Sequence, residues 1–229
     1  FVHKVAGHFA EQGQDLARVT KAAEQVVAAT KSIGMSLDTC TVPGSVKENR
    51  IAAGKAELGL GIHGEPGVEQ IDFVSAEQAM TAVTQKLAGM TDAQSHVVLL
   101  NNLGAASVLE MSVLCYELLR SPLGKNCKYI IGPAAMMTSL DMRGFSVSVL
   151  PLTLDIEDAL CTDTPLAAWP GCVAITPFTP IALPDGLTPI KPVPSGHAAT
   201  GDFLIKCCNV IIGFETDLNL LDAKSGTYT

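Results

Sequence analysis

The sequence predicts an α/β protein: a mixed β-sheet covered by helices, followed by an extended Pro-rich linker and one terminal helix. Three observations carry this. Apolar strand-like runs alternate with helical repeats along most of the 229 residues. Hydrophobic residues make up 48% of the chain but aromatics only 5%, so Ala, Val, Ile, Leu and Met must fill the core, as where helices pack on a largely buried sheet. Pro177, Pro180, Pro184, Pro189, Pro192 and Pro194 crowd into residues 176–196, a density that excludes a helix there and favours an extended chain.

Leu16, Val19, Ala23, Val26, Val27 and Thr30 recur near a 3.6-residue period. With Asp15 as N-cap and Gly34 as C-terminal stop, they predict a helix over 15–33. Met35 to Val42 alternates before the Pro43-Gly44 turn and reads as a strand. Glu57 to Ile62, short, apolar and Gly-rich, reads as a strand feeding a loop. Ser75 with Gln78 and Ser107 with Glu110 form capping-box patterns that open helices running to about Leu87 and Leu119. Between them His96 to Leu100 is a continuous apolar strand, and Lys128 to Ile131 and Phe145 to Leu150 predict two more. From Asp202 to Leu221 a helical pattern returns, with Phe203, Val210, Phe214, Leu218 and Leu221 as its stripe, so a second domain begins there.

A net charge of −8 without any basic run argues against nucleic-acid backbone or an anionic membrane surface as partner. Glu110 and Glu117 interrupt the most apolar region, so no stretch reaches the roughly 18–20 residues of a membrane span. The opening Phe1-Val2-His3-Lys4 does not resemble a signal peptide and reads as a chain entered in mid-element. Seven cysteines, an odd number without a C-x-x-C spacing, predict reduced, mostly buried thiols in a cytoplasmic protein, with no metal site built from them.

The densest chemical signal is Gly59-Leu60-Gly61-Ile62-His63-Gly64-Glu65-Pro66-Gly67. Glycines let backbone approach a ligand closely and leave the His63 imidazole unshielded; the same composition also suits a plain turn with a surface histidine. Asn101-Asn102-Leu103-Gly104 follows the next strand and fits either a ligand loop before a helix N-terminus or ordinary turn chemistry. Both loops follow strands, where α/β folds place ligands, so a pocket lined by 61–67 and 101–104 is expected, with His63 at its mouth. Residues 137–144 read as a helical turn before the last strand that fixes packing. His3, His8, His96 and His197 do not assemble into a site in sequence. No G-x-S-x-G, P-loop or complete G-x-G-x-x-G opening a helix is present.

The heptapeptide Gly61-Ile62-His63-Gly64-Glu65-Pro66-Gly67 resembles the signature of dihydroxyacetone (glycerone) kinases. Further matches follow in family order: Val2-His3-Lys4-Val5-Ala6-Gly7, Thr41-Val42-Pro43-Gly44, Leu99 to Gly104, Glu110, Thr138-Ser139-Leu140-Asp141-Met142-Arg143-Gly144 and Pro165 to Trp169-Pro170. The resemblance implies that residues 1–172 are the second lobe of the substrate-binding (DhaK-type) domain and that 173–198 are the linker. Residues 199–229 would then be the incomplete start of a helical nucleotide-binding (DhaL-type) domain.

It further implies a cytoplasmic kinase of glycerol metabolism in which His63 attacks the ketone carbon of dihydroxyacetone to give a hemiaminal, glyceraldehyde being a second candidate substrate. ATP and Mg²⁺ are the implied cofactors and a homodimer the implied assembly. Asp222, in the Leu221-Asp222-Ala223 step, corresponds to the first of several carboxylates that hold Mg²⁺. The family's Gly-Asp-Gly-Asp loop does not follow; the residues there are Gly226-Thr227-Tyr228-Thr229. One carboxylate does not make a Mg-ATP site, so no nucleotide is expected on this chain alone. A non-catalytic dihydroxyacetone-binding sensor or co-regulator is the alternative, and a bifunctional triokinase/FMN cyclase another.

Overall fold

A computed structural model of the chain describes residues 1–59, 69–88, 95–176 and 198–214. The chain divides into two compact units, Phe1–Pro177 and Phe178–Thr229. In the first, two helices, α1 (Val2–Glu11) and α2 (Leu16–Ala29), precede strands β1 (Lys31–Ser36), β2 (Lys55–Leu58) and β3 (Glu69–Asp72). Helix α3 (Ala76–Ala88) leads to β4 (His96–Asn102), and α4 (Val108–Arg120) with the short α5 (Pro122–Lys125) leads to β5 (Cys127–Ala134). Strand β6 (Gly144–Pro151), α6 (Leu154–Cys161) and β7 (Cys172–Ala174) complete the unit. The second unit contributes α7 (Ala198–Gly213), whose Phe203, Ile205 and Val210 are exposed.

The seven strands form one mixed sheet in the order β3-β2-β1-β6-β4-β5-β7. Only β4 and β5 run parallel; every other neighbouring pair is antiparallel. Strand β6 is the keystone, pairing with β1 on one side and β4 on the other. Alternation sends successive side chains to opposite faces. Val98 and Leu100 of β4 therefore join Phe145, Val147 and Val149 of β6 in one apolar cluster with α3 and α4 residues such as Met80, Val83, Met111 and Leu118. Val97 and Leu99 enter the other, with Val5 and Phe9 of α1, Val26 of α2 and Ile156 and Leu160 of α6. Burial on both faces explains why β4 reads as an uninterrupted apolar run.

Helix α2 begins at its expected cap, with Asp15 Oδ1 accepting from Arg18 N at 2.8 Å. It ends at Ala29 rather than before Gly34. Thr30 closes it, its N–H and hydroxyl both donating to Val26 O, and Gly34 lies inside β1. The strand expected over 35–42 stops at Ser36: its hydroxyl donates to Asp38 O, and Asp38 Oδ1 accepts from Thr39 N, local bonds that turn the chain out of the ladder. The Ser107–Glu110 box is complete, with both reciprocal bonds present. Residues 137–144 form no helical turn; Met142 N donates to Ser139 O across a tight turn in which Asp141 has φ 64°. The thiols are less buried than expected: Cys127 alone among the seven is fully buried, while Cys161 and Cys208 are exposed.

Candidate functional site

Strands β2 and β4 are antiparallel through the intervening β1 and β6, so their carboxyl ends point to opposite edges and strand order alone does not bring the following loops together. The brevity of β2 brings Gly59 to the Asn101 row. β2 ends at Leu58, opposite Met35, and Gly59 N then donates to Gly34 O at 2.7 Å. Gly34 faces Ser146, which faces Asn101. The chain leaves this row at Gly59 with φ 77°, a left-handed turn that glycine makes without a Cβ penalty.

A cavity of 520 Å³ opens over this row, on the sheet face that carries α1. Its floor is polar. Ser32 and Ser148, cross-strand partners, join hydroxyls at 2.7 Å, and Ser146 Oγ accepts from Asn101 Nδ2 at 3.2 Å. Its walls are Phe1 with Val2 and His3 of α1 on one side and Leu103, Met136 and Met137 on the other. The size is that of a small-molecule site, and hydroxyls that both donate and accept suit a small polyhydroxylated molecule.

Asn101, buried to 3% exposure, works inward. Its Oδ1 accepts from Met136 N and Met137 N, both at 2.9 Å, and its Nδ2 donates to Met137 O at 2.8 Å. Asn102 folds its own loop, donating to Ala106 O and accepting from Gly104 N. Of the two readings of 101–104, turn chemistry describes these amides. The 101–105 stretch is joined to 139–144: Ser139 N donates to Leu103 O, Leu103 N to Gly144 O and Ala105 N to Met142 O. His63 and Asp222 lie outside the described residues, as does His197. Leu58 and Gly59 are the last described residues before the His63 segment.

The titratable groups most displaced from their ordinary values stand away from this cavity. The Arg143 guanidinium and then the Ser107 N–H hold the Glu110 carboxyl down at about 2. The Glu110–Arg143 pair rims a second, apolar cavity of 260 Å³ on the opposite face, lined by Met35, Phe73, Val113 and Phe145. A hydrogen bond to Glu157 lifts the Tyr129 phenol to about 12. Burial and the neighbouring Cys161 lift the Cys172 thiol to about 12. His8 and His96 are buried structural groups, the first beside Gln12 and Asp158, the second against Leu123 O. The sequence reading missed the floor serines, although Phe145-Ser146-Val147-Ser148-Val149 signals them: hydroxyls alternating through a strand otherwise apolar.

Residues 1–168 match the Dak1 domain family. The dihydroxyacetone kinase of Citrobacter freundii is 37% identical over 227 residues, 98% of this chain and 41% of that protein. Its crystal structure in complex with AMP-PNP and Mg²⁺ superimposes with a TM-score of 0.76, covering 97% of this chain and 42% of that one. The triokinase/FMN cyclase of Homo sapiens is 31% identical over 248 residues, 98% of this chain and 42% of its own length. A solved dihydroxyacetone kinase operon co-activator, Dha-DhaQ, is 25% identical with a TM-score of 0.65, over 74% of this chain and 55% of its own. The chain thus spans about two fifths of the length of the two enzymes it matches. With a Dak1 match over most of its length, a mixed sheet shared with a solved dihydroxyacetone kinase and close sequence relatives in that group, this chain belongs to the dihydroxyacetone kinase family.

Proposed function

We propose that the chain is the ketone-binding part of an ATP-dependent dihydroxyacetone kinase, in which His63 holds the substrate as a hemiaminal. The observation that carries this reading is the position of Gly59: the backbone that leads to His63, four residues on, departs from the lining of a cavity of small-molecule size that also carries the Ser32, Ser146 and Ser148 hydroxyls. A ring nitrogen of His63 adds to the ketone carbon, the carbonyl oxygen takes up a proton to become a hydroxyl, and the imidazole gives up its own N–H proton. A fixed covalent orientation of this kind contributes several kcal/mol to a following reaction. Glycerol has no carbonyl and is refused. The floor serines supply partners for the remaining substrate hydroxyls.

ATP and Mg²⁺ belong to the complete protein in this reading, as the AMP-PNP and Mg²⁺ complex of the Citrobacter freundii relative supports. Among the described residues no group of three or more His, Cys, Asp or Glu fits a metal ion; Asp222 remains the candidate Mg²⁺ ligand. Residues 1–172 act as the second lobe of the substrate-binding domain, 173–198 as linker, with Val173 and Ala174 held in β7, and 199–229 as the start of the nucleotide-binding domain. The division into units at Pro177 supports that arrangement. The assembly in this reading is a homodimer. The likeness to Dha-DhaQ favours, as second reading, a binding protein that senses dihydroxyacetone without phosphorylating it.

The test is dihydroxyacetone labelled with ¹³C at its ketone carbon, mixed with the purified chain and with its His63→Ala variant. In the parent the label should leave the carbonyl region of the NMR spectrum for that of a carbon bonded to one oxygen and one nitrogen, and the variant should show no such signal. A signal that survives in the variant, or is absent from both, overturns the assignment of His63. An ADP-release assay of the full-length protein then separates kinase from sensor.

A further inference from the structure

Cys161 ends α6 and Cys172 begins β7, and the fold brings the two together across residues 162–171. The Cys172 sulfur donates to Leu160 O at 3.3 Å, one peptide from Cys161. They differ in access: Cys161 is exposed, whereas Cys172 is half-buried and packs against the α1–α6 side of the core. Lys4 stands over them, its Nζ donating to Ala159 O and Thr162 O, both at 2.8 Å. Its charge sits at the negative end of the α6 dipole.

We propose that Cys161 and Cys172 form a reversible oxidation site, Cys161 the sulfur that meets a hydroperoxide and Cys172 the sulfur that resolves it. The Cys161 thiolate attacks one peroxide oxygen, the O–O bond breaks, and the leaving hydroxide takes a proton to become water; Cys161 is now a sulfenic acid. Cys172 then attacks the Cys161 sulfur, its own proton leaving with the displaced hydroxyl as a second water. Two thiols have lost two electrons and the peroxide has gained them. A dithiol reductant reverses the change. The bond would tie the end of α6 to β7, the edge strand of the sheet, and so to the last described residues of the first unit. Nothing in this depends on the kinase reading or on His63.

The sequence makes the test clean. No cleavable Lys or Arg bond lies between Arg143 and Lys206, because Lys191 precedes proline, so one tryptic fragment, 144–206, carries Cys161 and Cys172 and no other cysteine. The reduced chain is treated with equimolar hydrogen peroxide at sub-micromolar protein, quenched with an alkylating agent, and digested. Fragment 144–206 should be lighter by two hydrogens and unalkylated, the other five cysteines should be alkylated, and cleavage before Asp163 should leave two peptides joined until reduced. In Cys172→Ala the sulfenic acid has no resolving partner and should be trapped by dimedone on Cys161; Cys161→Ser should give neither disulfide nor adduct. A fully alkylated fragment 144–206 overturns the proposal. So does a dimedone-negative Cys172→Ala chain, or a linkage that joins either cysteine to another partner.

Discussion

Asn101 grips Met137 from both sides of its peptide, accepting from the Met137 N–H at 2.9 Å and donating to the Met137 carbonyl at 2.8 Å. A side chain in β4 thereby does for the segment after β5 what a neighbouring strand would do. Replacing Asn101 by Ala leaves the N–H groups of Met136 and Met137 and the carbonyl of Met137 without these partners. Each unsatisfied buried group costs about 1–3 kcal/mol, and water reaching the cavity side recovers part of that. The expected loss is about 2–4 kcal/mol, read as a fall in the urea midpoint at unchanged slope.

The Glu110–Arg143 pair predicts a pH signature. Glu110 releases its proton more readily in the folded chain, so the stabilisation is fully present above the ordinary carboxylate value of 4.5 and fades as pH falls from there through about 2. The carboxylate side chain is 39% exposed, which holds the effect to about 1 kcal/mol or less. Glu110→Gln should therefore be less stable than the parent at pH 7, with the gap closing as pH falls from 4.5 through about 2. A gap that persists at the acid end would show that the Ser107 cap, not the charge, is what the variant lost.

Much of the fold was legible because local chemistry and tertiary structure agree. The Asp15 and Ser107 caps, the apolar run of β4 and the alternation of β6 all describe real elements. The errors cluster where side chains compete with the ladder: Ser36 and Asp38 end β1 early. Helix α6, short and capped by Thr153 Oγ1 on Ile156 N, had no counterpart among the predicted elements. The cavity was hidden for a different reason. Ser32, Ser146 and Asn101 are far apart in sequence and meet only through strand register, and a strand that stops halfway along its neighbour carries no local signal.

Two glycines make opposite predictions. A Cβ at Gly144 would come within 2.3 Å of Met35 O, backbone against backbone across the β1–β6 pair, with nothing flexible to yield. Gly144→Ala should cost about 1–3 kcal/mol. A Cβ at Gly7, on the open side of α1, meets nothing within 4 Å. Gly7→Ala should add about 0.5–1 kcal/mol by removing an entropic weakness from a helix interior. Thermal melts of the two variants beside the parent check both signs.

Arg50 reaches Glu57 with two nitrogens, Nε to Oε1 at 3.2 Å and Nη2 to Oε2 at 3.1 Å, while Gln70 Nε2 donates to Oε1 from β3. The Glu57 side chain is only 4% exposed. Arg50→Met takes the guanidinium from a buried carboxylate that keeps Gln70, at a cost of about 3 kcal/mol, whereas Glu48→Ala, which removes an exposed partner of Arg50, should cost under about 1 kcal/mol. Urea denaturation of both variants distinguishes the buried contact from the surface one.

The keystone place of β6 has a consequence for synthesis. Strands β1, β2 and β3 form one ribbon and β4 with β5 another, and among these six strands only β6, residues 144–151, bonds to both. As the chain emerges from the ribosome, two half-sheets wait with open edges, and the apolar cluster around Met35, Val98 and Leu100 lacks Phe145, Val147 and Val149 of β6. They cannot be sealed to each other until the whole of β6 has cleared the exit tunnel. Nascent chains caught before that point are those a holding chaperone would meet most often.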